Sequence, residues 1–142
     1  MFQIGSQIAP AVMSSAAKPT IYVVDDDVGV LGSLRFLLET DGLAVRTFRN
    51  AAAVLKAASE TNADCFVIDY KLPDINGLDL VGRLRGNHIT APVILITGYP
   101  DTGISERAAA AGIDHVLQKP LLGDSLIRRV RASTEQPIRP ES

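Results

Sequence analysis

Five polar residues stand at the ends of short apolar runs. Asp25 and Asp26 follow Ile21-Tyr22-Val23-Val24, Asp69 follows Cys65-Phe66-Val67-Ile68, Thr97 follows Pro92-Val93-Ile94-Leu95-Ile96, and Lys119 comes after His115-Val116-Leu117. If the chain brings them to one place, three carboxylates meet a hydroxyl and an ammonium group. Carboxylates that close repel, and unless they are neutralised at least one has its pKa raised. A cation relieves the repulsion. Hard oxygen donors with room left for water match Mg²⁺, which prefers octahedral geometry and usually takes one or two protein carboxylates. Such a metal and the lysine together would neutralise a phosphoryl group while one carboxylate oxygen attacks its phosphorus.

That convergence needs a scaffold, and the pattern from Thr20 onward supplies one. Short β-branched runs alternate with longer segments of helical spacing, the signature of repeated βα units around a parallel sheet. Strands are expected at Ile21 to Val24, Leu43 to Phe48, Asp64 to Asp69, Pro92 to Ile96 and His115 to Leu117. Helices are expected after Asp27, with Val28, Leu31, Leu34 and Leu38 on one face; from Ala51 to Ala58 behind an Asn50 cap; across Leu78, Leu80, Val81 and Leu84; from Ser105 to Ala111; and from Leu122 to about Ser133. The third run is apolar on both faces, as a central parallel strand must be. Right-handed crossovers then leave a doubly wound α/β sheet, and ligands bind such sheets outside the carboxyl ends of the strands. All five polar residues lie at those ends.

Composition narrows the class. A chain of 142 residues has the size of one domain, and a net charge of -2 with both signs dispersed gives neither a basic face for nucleic acid nor a polybasic run for anionic lipid. Direct nucleic-acid and membrane binding are therefore not expected. The single cysteine, Cys65, sits in the apolar run and reads as a small buried hydrophobe; one cysteine cannot staple a fold. With an opening segment that lacks a basic start and a sustained apolar core, this points to a reducing cytoplasm. Residues 1–18 read as a flexible extension, 19–134 as the domain and 135–142, with Pro137 and Pro140, as a disordered tail that leaves no room for an output domain.

Four motifs, Val23-Val24-Asp25-Asp26-Asp27, Asp69-Tyr70-Lys71-Leu72-Pro73-Asp74-Ile75-Asn76-Gly77, Ile96-Thr97-Gly98 and Lys119-Pro120, resemble the landmarks of the response regulator receiver domain of two-component signalling. Their wording is nearest that of nitrogen-fixation and nitrogen-regulation receivers. The resemblance implies a flavodoxin-like sheet of five parallel strands in order 2-1-3-4-5 with five helices. It implies that Asp69 is the phosphoacceptor and that Asp26, Asp69 and the backbone carbonyl of Lys71 coordinate Mg²⁺, with Asp25 acting through water. Thr97 would bond a phosphoryl oxygen, Lys119 would pair with Asp69 or its phosphate, Gly98 would leave space for the phosphoryl group, and the Lys119-Pro120 bond would be cis. It further implies a histidine kinase or histidine phosphotransfer protein as donor, a downstream protein partner, and a protein that catalyses only its own phosphorylation and dephosphorylation.

Three places bear on how such a receiver works. Many receivers carry an aromatic ring three residues before the motif lysine, and Val116 stands there, a stiff side chain with no ring to swing. Lys71 and Tyr99, two beyond Asp69 and Thr97, flank the path of water to an acyl phosphate in this family, so they are expected to shield it. Arg128, Arg129 and Arg131 read first as a solvated basic face. Receivers commonly associate on that side, where Ala108 to Ala111 permit close approach, so a homodimer on phosphorylation is the second reading. Asp74 and Asn76 read as turn and helix-capping residues, Asp101 and Asp114 as solvated charge, and His88 and His115 as ordinary loop or strand-edge residues.

Competing classes leave different marks. An aspartyl-phosphate hydrolase normally has a second carboxylate two residues after its nucleophile, where Lys71 stands. A nucleotide or flavin module needs a glycine-rich loop after the first strand, where three aspartates stand. A receiver that serves only as a phosphorylation-independent interaction module need not retain Asp26, Asp69, Thr97 and Lys119, and all four are present.

Overall fold

In a computed structural model of the chain, residues 18–98, 102–120 and 123–134 are described. Five strands, β1 (Thr20–Val24), β2 (Ala44–Phe48), β3 (Cys65–Asp69), β4 (Val93–Thr97) and β5 (His115–Gln118), alternate with five helices, α1 (Val28–Thr40), α2 (Ala51–Glu60), α3 (Gly77–Gly86), α4 (Thr102–Ala110) and α5 (Gly123–Thr134). The strands pair in parallel in the order β2-β1-β3-β4-β5, as the family resemblance implies. Every residue of β3 and β4 is buried, whereas β2 and β5 at the edges are not.

Two apolar layers hold the sheet, because successive strand residues point to opposite faces. Ile21 and Val23 of β1 pack with Leu31, Leu34 and Leu38 of α1 and Leu126 and Val130 of α5. Their neighbours Tyr22 and Val24 pack with Val54 of α2, Leu80 and Leu84 of α3 and Ile104 and Ala108 of α4. Chain direction across the sheet reverses between β1 and β3, whose carboxyl ends therefore open on a crevice. Each helix that starts there has its first turn satisfied by a side chain. Asp27 Oδ1 accepts the Gly29 and Val30 N–H groups at 2.8 and 3.2 Å, Asn50 caps α2 through Ala53, and Asn76 caps α3 through Asp79, both at 2.8 Å.

Several local expectations shift. The α4 helix begins at Thr102 rather than Ser105. Ile104 is only 3% exposed, and burying it against the sheet outweighs the poor helix propensity of its neighbour Gly103. Of the small residues Ala108 to Ala111, Ala108 faces the chain's own core, leaving Ala109 and Ala110 exposed. Arg131 is not part of a freely solvated face: its Nε donates to Asp41 Oδ2 at 2.8 Å and its Nη2 to the Asp41 carbonyl, tying α5 to the end of α1. The expected extension and tail, except Lys18, lie outside the described residues, as do Tyr99, Asp101 and Leu122.

Candidate phosphoryl and metal site

Asp25 follows the last residue of β1, and its N–H donates to the Phe48 carbonyl of β2 at 3.0 Å, which extends the ladder by one bond and fixes where its side chain leaves the sheet. Asp69 is the last residue of β3, with Tyr70 N–H donating to the Ile96 carbonyl at 2.8 Å. Thr97 closes β4 opposite Gln118, and Lys119 N–H donates to the Thr97 carbonyl at 2.8 Å. The ladder itself therefore delivers all four side chains to one edge.

There the carboxylates of Asp25, Asp26 and Asp69 each place an oxygen within 4.8 Å of the others. Lys119 Nζ lies 3.3 Å from Asp25 Oδ2 and 3.3 Å from Asp69 Oδ1, bridging the two. Asp25 and Asp69 are buried, at 2% and 6% exposure, while Asp26 is exposed. The second oxygen of Asp25 accepts the Asp27 N–H at 2.9 Å. Thr97 is buried beside them, 4% exposed. The Lys119-Pro120 peptide is cis.

The electrostatics are those of a crowded anionic site with one cation. Burial raises the Asp69 pKa above its ordinary value, the Asp25 charge raises it further, and Lys119 offsets only part of this. Burial works to lower the Lys119 pKa, but the charges of Asp69 and Asp25 outweigh it and hold the ammonium form. Two buried carboxylates share one ammonium, and a third stands at the mouth. This donor set fits a small divalent cation: hard oxygens only, excess negative charge, and one ligand, Asp26, open to solvent so that water can complete the coordination.

Other anticipated residues fall nearby. Lys71 is exposed, and so is Gly98; among the described residues, its chain neighbours aside, no atom lies within 4 Å of where a Gly98 Cβ would stand. Val116 is half-buried and packs against the layer formed by α2, α3 and α4. Asp114 is more than solvated charge, since its Oδ2 accepts the Val93 N–H at 3.1 Å. One residue stands in the motif that begins at Asp69 without a role read from the sequence. Gly77 lies against β3, where a Cβ would come 2.8 Å from the Asp69 carbonyl oxygen and 2.9 Å from Leu95 Cδ1. Its signal is a glycine at the first position of a helix, where a better helix former would be expected unless the backbone needs the room.

Comparison with known proteins identifies the family and the fold. The model of the response regulator receiver domain matches residues 21–131. The chain is 39% identical over 113 residues to the transcriptional regulatory protein FixJ of Azorhizobium caulinodans, covering 80% of this chain and 54% of that protein. It is 36% identical over 116 residues to the transcriptional regulatory protein KdpE of Mycobacterium tuberculosis, covering 82% and 51%. The chain thus spans about half the length of the curated relatives it matches. Among solved structures, the receiver domain of the Francisella response regulator 1452 superposes with a TM-score of 0.81 at 28% identity, covering 84% of this chain and 99% of that one. A CheY-like receiver domain protein from Methanospirillum hungatei gives 0.80 at 26%, covering 84% and 96%. Among the described residues no helix is long and apolar enough to cross a membrane. By sequence, fold and the acidic pocket at its strand ends, the chain belongs to the response regulator receiver domain family, the phosphoacceptors of two-component systems.

Proposed function

We propose that this receiver takes a phosphoryl group on Asp69 from a phosphohistidine donor, a histidine kinase or a histidine phosphotransfer protein, in a Mg²⁺-dependent reaction. The observation that carries the reading is the meeting of three carboxylates within 4.8 Å with Lys119 bridging two of them at 3.3 Å. An Asp69 oxygen forms the bond to phosphorus as the P–N bond breaks, and the electron pair leaves on the imidazole nitrogen, which takes up a proton. Asp26, Asp69 and the Lys71 carbonyl would hold the ion, with Asp25 behind them through water, and Mg²⁺ when bound supplies charge neutralisation of the phosphoryl oxygens. Lys119 is placed to exchange its Asp69 partner for the phosphoryl group, and Thr97 to donate its hydroxyl to it, with Gly98 leaving the approach open.

Intact-protein mass after incubation with acetyl phosphate, with and without Mg²⁺, tests this. A gain of one phosphoryl mass that needs Mg²⁺ and is absent in Asp69→Asn is expected. No gain in the wild type, or the same gain in Asp69→Asn, overturns it and leaves an interaction module that works without phosphate.

A protein donor must dock beside the site. Val28 and Phe36 on α1 are 60% and 73% exposed, and they line a groove together with Lys119 and Pro120. We place the donor there. Phe36→Ala should slow transfer from a protein donor while leaving acetyl phosphate labelling unchanged, and an equal effect on both would remove the assignment. Signal output runs through a downstream protein in the cytoplasm, with Val116 transmitting no ring movement. Association of two phosphorylated copies through α4 and α5 is checked by sedimentation. Lys71 and Tyr99 shield the acyl phosphate; hydrolysis no faster in the Lys71→Ala, Tyr99→Ala pair would count against that role.

A further inference from the structure

Asp74 is a carboxylate outside the acidic cluster that its own helix does not use. It lies between β3 and α3, where Asn76 already caps α3. Its side chain turns to a different helix: Oδ1 accepts the Ala51 N–H and Oδ2 the Ala52 N–H, each at 3.0 Å, at the first turn of α2. Oδ1 also accepts the Ile75 N–H at 3.1 Å, which fixes the carboxylate against its own backbone. The positive end of the α2 dipole favours an anion there, and the Ala51 N–H, with those of Ala52 and Ile75, holds Asp74 below the ordinary carboxylate pKa.

The same stretch of chain is closed at its neck. Gly77 N–H donates to the Tyr70 carbonyl at 2.7 Å, and Gly77 is packed so tightly on the Asp69 carbonyl that no Cβ fits between them. The chain therefore leaves β3 at Asp69, is fastened to itself at Tyr70 and Gly77, and is fastened to α2 at Asp74. Lys71 lies between the two fastenings. The helix that anchors the tip is a firm reference, since Ala51, Val54, Ala57 and Ala58 bury one of its faces.

We propose that Asp74 is a positioning residue for the divalent-cation site: by clamping the 70–76 segment to the amino end of α2, it holds the Lys71 carbonyl and the Asp69 carboxylate where one ion takes both. The inference rests on the reading of Asp26, Asp69 and Lys71 as the ligand set. Mg²⁺ demands near-ideal octahedral geometry, so a ligand that swings freely contributes little, and residues that orient ligands without touching the metal govern affinity strongly.

The test compares Asp74→Ala with Asn50→Ala in the full chain, by Mg²⁺ titration followed through backbone amide resonances. Both variants uncap the first turn of α2, but only the first releases the 70–76 segment. Asp74→Ala should raise the Mg²⁺ Kd about tenfold and speed amide exchange across residues 70–72 in the metal-free protein. Asn50→Ala should lower thermal stability and leave the Kd at its wild-type value. Asp74→Asn keeps one acceptor oxygen and should fall between, and it serves as the reading if Asp74→Ala does not fold. A wild-type Kd in the Asp74 variants, or an equal loss in Asn50→Ala, overturns the inference alone. A wild-type chain whose resonances do not respond to Mg²⁺ removes the ligand reading itself, and the inference with it.

Discussion

Aspartates sit at both edges of this sheet, and their surroundings differ. At the amino edge, Asp64 precedes β3 and Asp114 precedes β5. Asp64 N–H donates to the Thr20 carbonyl and its Oδ2 accepts the Thr20 N–H, both at 2.8 Å. Asp114 makes the same reciprocal pair with Val93, both at 3.1 Å. Each of these carboxylates bonds a main-chain donor and closes a ladder where it begins, in an exposed position. At the carboxyl edge, Asp25 and Asp69 are buried with Asp26 at their rim and one lysine between them. The first arrangement is satisfied as it stands. The second is held in an unfavourable charge state by the surrounding fold, and charge brought in from outside improves it. The two settings thus differ in charge balance: main-chain donors satisfy each amino-edge carboxylate, whereas at the carboxyl edge three carboxylates crowd around one ammonium.

This contrast can be broken most directly with metal. At a Mg²⁺ concentration one hundredfold above Kd, the wild-type protein should gain about 2.7 kcal/mol of stability in urea unfolding. Asp26→Asn and Asp69→Asn should lose that gain, while Asp64→Asn and Asp114→Asn should keep it. A response that survives at the carboxyl edge or vanishes at the amino edge would erase the distinction. Next in size is Gly77→Ala, which forces a Cβ against the Asp69 carbonyl and Leu95 and should cost about 2 kcal/mol by overpacking. Labelling of Asp69 should fall with it, since the acceptor's own backbone must move.

At the amino edge, Asp64→Ala and Asp114→Ala should each cost about 1 kcal/mol, the net value of a hydrogen bond. They share no partner, so the double variant should show the sum of the two, and Mg²⁺ affinity should not change. The smallest expected effect is a slope with pH. Burial raises the Asp69 pKa above the ordinary value of 3.8, so the folded state binds that proton more tightly than the unfolded chain. Metal-free stability should therefore rise as pH falls from neutral through the raised Asp69 value toward 3.8, and Asp69→Asn should flatten that rise. Two other shifts act outside this window. The contribution of Asp74, whose pKa is lowered, is lost only as pH falls below 3.8, and that of Lys119, whose pKa is raised, only as pH climbs past 10.5.

The alternation of strand and helix, the two-faced apolar third strand and the polar residue at each strand end are all local patterns, and they were enough to name the sheet, its order through the family resemblance, and the residues that meet at its edge. Those patterns survive because a parallel strand buried on both faces has few alternatives to β-branched and aliphatic residues, and because a strand end is where a side chain must leave the sheet. Helix caps at Asp27, Asn50 and Asn76 were legible for the same reason, since each side chain bonds a donor two or three residues on. What only the tertiary structure decided are contacts whose partner is main chain or lies far along the sequence. Asp74 reaches N–H groups 22 and 23 residues upstream, Asp114 an N–H 21 residues upstream, and Arg131 a carboxylate 90 residues away. A backbone N–H is present at every residue but proline and marks none of them, so no residue type announces such a partner. The closeness of Gly77 to Asp69 and the bridging of Lys119 to two carboxylates belong to the same group, because distance across a folded sheet is set by packing and has no period in the sequence.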